Sequence, residues 1–233
     1  MRRTCILAVA VAAALLACGA ARAGMLVEVG VADMGSFTVE LYDSTPVTKA
    51  NFLAYVTQNL YDGTIFHRSD SANGVLQAGG FALADDPNYL LQYVDNLGTI
   101  PYEGNLGGSN VMGTIGMARS SDPNSASNQW YINMQDNSAG FDDQPGTPGY
   151  TVFGQVVAGW DVLTAIYDLN VWDASGFFGQ AAFATLPLMD SFDGSAPLAQ
   201  SDFVSVTTMT PEPATLALVA LGGLAMVRRR RRR

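Results

Sequence analysis

In Gly35-Ser36-Phe37-Thr38-Val39-Glu40-Leu41, apolar Phe37, Val39 and Leu41 alternate with polar Ser36, Thr38 and Glu40. A period of two sends the two sets to opposite faces, which marks a half-buried β-strand. Residues 25–31 are a second strand candidate, and Asp33-Met34-Gly35 makes a short turn between the two, so a hairpin is expected. Downstream, Thr45 stands as N-cap and Pro46 at the first helical position. Phe52, Leu53, Val56 and Leu60 then follow at helical spacing. Strands are predicted over 64–68, 75–81, 111–118, 129–134, 151–156 and 202–208. A second helix is predicted over 160–169, with Val162, Ile166 and Leu169 on one face. Residues 82–110 and 170–200 read as long irregular loops rich in Gly, Asp, Asn and Pro. Eight strands with two helices argue for a mainly β fold, a closed antiparallel barrel capped at its ends by the helices.

The formal charge of −9 over 233 residues hides an uneven distribution. Nine of the twelve cations are Arg2, Arg3, Arg22 and the run 228–233; between residues 24 and 210 only Lys49, Arg68 and Arg119 face twenty acids. Such an acidic body offers no phosphate-neutralising patch, so nucleic acid is excluded as a partner. Anionic lipid should not attract it either. Cys5 and Cys18 both lie in the first twenty residues. A chain processed beyond them has no thiol nucleophile, disulfide or cysteine-bound zinc. His67 is the single histidine, so no histidine-rich metal site exists and a Ser-His-Asp triad would have to use that ring. No metal site and no cofactor are expected.

Both ends read as targeting segments flanking a domain over 24–210. Residues 1–23 have the form of a secretory signal for signal peptidase. Arg2-Arg3 open it, an apolar stretch runs from Ile6 to Ala17, and Ala21-Arg22-Ala23 precedes Gly24. Leu15-Leu16-Ala17-Cys18 also resembles a lipoprotein box, although Leu16 is larger than such a box prefers. At the other end Pro211-Glu212-Pro213 precedes an apolar run, 214–227, and six arginines. That run is short for a bilayer, but with its flanks and snorkelling arginines it could just span, which allows transient or retained membrane anchoring. The arginines would then stay cytoplasmic and the domain outside. In order and position this tail resembles the PEP-CTERM sorting signal of Gram-negative bacteria. The resemblance implies recognition by an exosortase and export to the periplasm, outer surface or extracellular matrix. A plain tail anchor is the alternative, and it too places the domain outside the cytoplasm.

Within the body, Phe66-His67-Arg68, Gln77-Ala78-Gly79-Gly80-Phe81 and Gly113-Thr114-Ile115-Gly116-Met117-Ala118-Arg119 occur in order. Ser127-Asn128-Gln129-Trp130-Tyr131-Ile132-Asn133 and Val152-Phe153-Gly154-Gln155-Val156-Val157 follow. Together with Val39-Glu40-Leu41-Tyr42, Pro46 and Asn51-Phe52, they resemble the cyclophilin-type peptidyl-prolyl isomerases over about residues 27–208. The resemblance implies an eight-stranded barrel capped by two helices. It also implies an isomerase acting on proline-containing polypeptides, with no cofactor.

It implies roles as well. Arg68 matches the arginine that stabilises the twisted amide, Gln77 a glutamine that binds the substrate backbone, and Gln129 a second pocket glutamine. Tyr131 stands where the family has a phenylalanine floor to the proline pocket, with a hydroxyl that needs a partner. Ala118 and Arg119 match the edge that pairs with substrate. Phe141 falls near a pocket-wall residue, and Tyr150 matches a position that is histidine or tyrosine in relatives. His67 matches a residue packed beside the arginine, and a structural role is expected for it. The chain departs from the pattern at Ser69-Asp70-Ser71-Ala72-Asn73-Gly74-Val75-Leu76, where the segment is longer and more polar, with Gly74 in place of an aromatic residue and Val75 in place of methionine. Asp70 is placed to pair with Arg68 and dampen its field. A catalytically weak proline-segment binding module and a structural surface or matrix protein are the competing expectations.

Overall fold

The computed structural model describes residues 24–86 and 88–212. The expected signal segment, with Cys18, and the apolar tail 214–227 with its arginines lie outside the described residues. Among the described residues no helix is long and apolar enough to cross a membrane.

Among the described residues twelve strands form: β1 (Met25–Val31), β2 (Gly35–Leu41), β3 (Arg68–Asp70), β4 (Val75–Ala78), β5 (Phe81–Leu83), β6 (Leu91–Tyr93), β7 (Thr114–Met117), β8 (Trp130–Asn133), β9 (Val152–Ala158), β10 (Val171–Trp172), β11 (Leu186–Pro187) and β12 (Val206–Pro211). Eight of them make one antiparallel sheet in the order β12-β1-β2-β9-β7-β8-β4-β3. The sheet curls until its two edges meet just upstream of β3. There Phe66 N–H donates to the Val204 carbonyl at 3.0 Å and Val206 N–H to the Thr64 carbonyl at 2.7 Å. The strand expected over 64–68 is therefore mostly this seam, with single bridges at Thr64 and Ile65.

The β1–β2 hairpin turns at Asp33, in the left-handed region at φ 58, and its register pairs Val27 with Val39 and Val29 with Phe37. These side chains enter the barrel with Leu41, all essentially buried, as the alternation requires. The strand expected over 75–81 breaks into β4 and β5 at Gly79, whose φ of +91 no β-branched residue would adopt comfortably. The final strand runs through Pro211, paired with Val27, and Glu212 N–H donates to the Leu26 carbonyl at 2.8 Å. The first residues of the Pro-Glu-Pro segment thus belong to the sheet.

Two principal helices form among the described residues, α1 (Pro46–Thr57) and, after the four-residue α2 (Ser138–Phe141), α3 (Trp160–Tyr167). A second four-residue turn, α4 (Ser175–Phe178), lies in the region 170–200. α1 begins at Pro46 as its sequence predicts, but Thr45 makes no side-chain cap and its Oγ1 is buried without a partner. The Glu103 carboxylate does that work from a distant loop, accepting Val47 N–H at 3.0 Å and Thr48 N–H at 2.7 Å. An anion there also complements the helix dipole. Phe52 and Val56 of α1 are buried as expected, joined by Tyr55, whereas Leu53 is only partly covered. Phe52 packs on Tyr61 at 5.3 Å, Phe153 at 5.1 Å and Trp130 at 6.4 Å between ring centroids, tying helix to barrel.

The region 170–200, read as irregular, carries its own structure. β10 and β11 pair, and a satellite core gathers Phe183, Leu186, Leu188 and Phe203 against Ile65 and Phe81. The 82–110 region likewise holds β6, paired with β5, and Asn110, a fully buried residue.

Candidate active site

Strand register assembles the site. Arg68 of β3 lies opposite Gln77 of β4, Gln77 opposite Tyr131 of β8, and Tyr131 opposite Gly116 of β7. Directly paired residues share a face, so one row across four strands carries the three candidate side chains outward. The adjacent row, Leu76, Ile132 and Ile115, fills the barrel. Gly116 is required at its place, since a Cβ there would collide with the Tyr131 hydroxyl.

The polar part is a chain of contacts. Asp70 Oδ2 accepts from Arg68 Nη2 at 2.5 Å, Arg68 Nη1 donates to Gln77 Oε1 at 3.3 Å, and Gln77 Nε2 donates to Gln129 Oε1 at 2.8 Å. The Arg68 side chain keeps 38 % exposure, enough to meet a ligand, while that of Asp70 keeps 13 %. Asp70 is locked in a turn: Ala72 N–H, Asn73 N–H and Asn73 Nδ2 all donate to it. Burial pulls its pKa upward, but the Asn73 donors and the Arg68 guanidinium outweigh that and hold the carboxyl below the usual aspartate value. The pairing of Asp70 with Arg68 is thus present and ionic.

Beside this chain lies a cavity of about 120 Å³. Arg68, Gln77, Val75 and Asn73 line one side, and Ala118, Arg119, Tyr131, Phe141 and Tyr150 the other. Tyr131 meets Phe141 and Tyr150 edge-on, at 5.8 and 6.0 Å between centroids, so three rings bound the space. Arg119 is committed elsewhere: its guanidinium lies 4.6 Å above the Tyr150 ring and donates to the carbonyls of Pro148, Gly149 and Ser120. Ala118 N–H donates to the Gln129 carbonyl at 2.9 Å, fixing the edge of the pocket.

The hydroxyl of Tyr131 finds its partner in Asn110, donating to Oδ1 at 2.6 Å. Burial pushes this phenol well above the ordinary tyrosine pKa, so it remains a neutral donor. Asn110 is wholly buried and spends its amide on the carbonyls of Phe141 and Tyr150 and on Asp142 Oδ1, at 2.9 to 3.2 Å. One side chain therefore holds the floor ring and the loops that carry both wall rings. The sequence reading missed Asn110 because an asparagine in a Gly/Asn-rich segment looks solvated. Asn73 was missed as a lining residue for the same reason.

His67 is fully buried, edge-on to Phe81 at 5.0 Å and Phe183 at 6.2 Å. Burial, helped by the Arg68 charge, lowers its pKa to about 3. The Ile65 backbone and Gln129 offset this only in part, and neither ring nitrogen makes a well-formed hydrogen bond. It is a neutral packing residue at any ordinary pH. All nine candidate residues are accounted for: eight line the cavity, and Gln129 stands behind Gln77.

Comparison with known proteins bears on the family and the fold. A family model described as cyclophilin type peptidyl-prolyl cis-trans isomerase/CLD matches residues 26–178, and a PEP-CTERM protein-sorting motif matches residues 210–232. A peptidyl-prolyl cis-trans isomerase of Streptomyces antibioticus is 41% identical over 61% of this chain and 83% of its own length. One of Acinetobacter baylyi is 37% identical over 58% of this chain and 68% of its own. A cyclophilin type isomerase of Cryptosporidium parvum, solved in the presence of the dipeptide Ala-Pro, shares the fold with a TM-score of 0.53 at 18% identity, covering 80% of this chain and 98% of its own. The chain belongs to the cyclophilin-type peptidyl-prolyl cis-trans isomerase family and ends in a PEP-CTERM sorting motif.

Proposed function

We propose that the protein is an exported peptidyl-prolyl cis-trans isomerase acting on Xaa-Pro bonds of extracytoplasmic polypeptides, by Arg68-assisted stabilisation of the twisted amide. Rotation about a peptide bond must break C–N resonance, a barrier of ~18–20 kcal/mol. The two Xaa-Pro isomers are close in energy yet interconvert over tens of seconds or more. A catalyst therefore needs no nucleophile, metal or proton relay, only tighter binding of the twisted amide than of the planar one. As the amide twists, the prolyl nitrogen turns pyramidal and gains a lone pair, which a fixed guanidinium donor stabilises.

The observation that carries this reading is the row of Arg68, Gln77 and Tyr131 across three strands, beside a cavity walled by aromatic rings. Arg68 supplies the donor, and Gln77, braced by Gln129, holds the substrate backbone. Tyr131, Phe141, Tyr150 and Val75 receive the pyrrolidine ring, and Ala118 with Arg119 forms the edge along which the substrate lies. Residues 1–23 act as the export signal, the domain spans 24–210, and residues 211–233 are the segment an exosortase processes, with membrane anchoring before that step. Delivery to the surface of a Gram-negative cell makes exported proteins the substrates.

Two observations favour a second reading, a binding module with little catalysis: Asp70 occupies Arg68 at 2.5 Å, and polar Asn73 lines the cavity. NMR exchange spectroscopy on an Xaa-Pro peptide with the full chain separates the two. Enhanced cis–trans exchange cross-peaks support the isomerase; peptide shift changes without faster exchange support the module; neither, across several residues preceding proline, overturns both.

A further inference from the structure

A second cavity, of about 400 Å³, opens on the other side of the Arg68–Gln77 pair. Arg68, Asp70 and Gln77 form one flank, and Ala181, Ala182, Ala184 and Thr185 the other. The second flank lies beyond residue 178, where the family match ends. It is nonetheless built into the fold. Ser69 N–H, next to Arg68, donates to the Thr185 carbonyl at 2.8 Å, so residue 185 runs alongside β3. Phe183 anchors the segment from below, 4.6 Å from Phe81 and 4.5 Å from Phe178 between centroids, while Leu186 and Leu188 are buried in the satellite core.

The chemistry of the cavity is specific. Three alanines on the far flank leave an apolar wall with room beside it. Thr185 adds a hydroxyl whose oxygen is buried with no hydrogen-bond partner among the described residues. A buried polar atom left unpaired is costly, and a turn about χ1 of Thr185 that brings the hydroxyl into the cavity lets a ligand group recover that cost. Arg68 and Asp70 neutralise each other at the rim, so neither a cation nor an anion is favoured inside. Both cavities share Arg68 and Gln77, so a chain bound at one passes the mouth of the other.

We propose that this cavity is a second substrate subsite, one that takes the side chain of a residue flanking the proline and selects a long side chain with an apolar body and a neutral hydrogen-bonding end, tyrosine or glutamine. The subsite rests on the reading of the first cavity as the proline site. It gives the segment beyond residue 178 a task in specificity.

The test uses binding, so it does not depend on catalysis. Ala-Ala-Pro-Ala peptides, with each flanking alanine replaced in turn by Tyr, Gln, Phe, Leu, Asp or Lys, are titrated into the isotopically labelled full chain. At one position Tyr or Gln should bind about fivefold or more tighter than Ala, the worth of one recovered hydrogen bond plus apolar contact. The shifted amides should include those of residues 182–186. Ala184→Trp, a change at an exposed position, should bring the Tyr-to-Ala ratio close to one. Thr185→Val should erase the advantage of Tyr over Phe. The proposal is overturned if no flanking side chain gains affinity, if charged ones gain most, or if the gain survives both substitutions. Peptides that bind with the expected preference but without faster isomerisation would sink the catalytic reading alone; no binding at all would sink both.

Discussion

Acid should destabilise this barrel well before its carboxylates titrate, because His67 is buried in neutral form. Its pKa falls to about 3 in the folded protein, against 6.5 for a free histidine. A folded-state pKa below the unfolded one means that stability is intact above the unfolded value and drains away as pH drops toward the folded value. Between pH 7 and pH 5 the unfolded ring goes from mostly neutral to mostly charged while the folded ring stays neutral. At ~1.4 kcal/mol per pKa unit, that removes about 2 kcal/mol. Carboxylates with lowered pKa, Asp70 and Asp143 among them, lose their contribution only as pH falls through and below the ordinary aspartate value of 3.8. The pH 7 to 5 window thus isolates the histidine. Urea denaturation of wild type and His67→Leu at both pH values is the assay; leucine keeps an apolar side chain against Phe81 and Phe183. Wild type should lose about 2 kcal/mol over the window and the variant less than about 0.5 kcal/mol. Parallel losses in the two proteins would refute the reasoning, since the ring would then not be the titrating group.

Asp70→Asn should retain the turn through Ala72 and Asn73 while removing the charge facing Arg68. Catalysed exchange should rise by up to about fivefold, the upper worth of a half-exposed ion pair, as read by exchange spectroscopy. Tyr131→Phe deletes the 2.6 Å bond to Asn110 and leaves a buried carbonyl oxygen under-satisfied, which should cost about 1–3 kcal/mol in thermal or urea unfolding. Glu103→Ala strips two N–H groups of α1 of their acceptor, with an expected loss of about 1–2 kcal/mol by the same measurement; an unchanged midpoint would show that water replaces the carboxylate without cost.

Periodicity made the barrel legible. Val39 and Phe37 alternate with polar neighbours, and the structure puts both inside; Pro46 starts a helix where its fixed φ suits the first turn. The site was legible only through the ordered resemblance, because no local pattern says that Arg68, Gln77 and Tyr131, up to 63 positions apart, will share one row. Two features carried no sequence signal. Glu103 caps a helix that starts 57 residues earlier, and Asn110 holds three pocket rings from within what reads as a loop. The 170–203 region hid its order for a different reason: Phe183, Leu186, Leu188 and Phe203 bury at irregular spacing, so they form a core without a period.

The central claim is that Arg68 acts on the twisted amide and not on the resting peptide. The direct measurement is catalysed exchange and peptide affinity, side by side, for wild type and Arg68→Ala on one Xaa-Pro peptide. A donor that works only in the transition state predicts a loss of about a hundredfold in catalysed exchange with the dissociation constant changed by less than about threefold. Equal losses in rate and affinity, or exchange that persists in the variant, would contradict it.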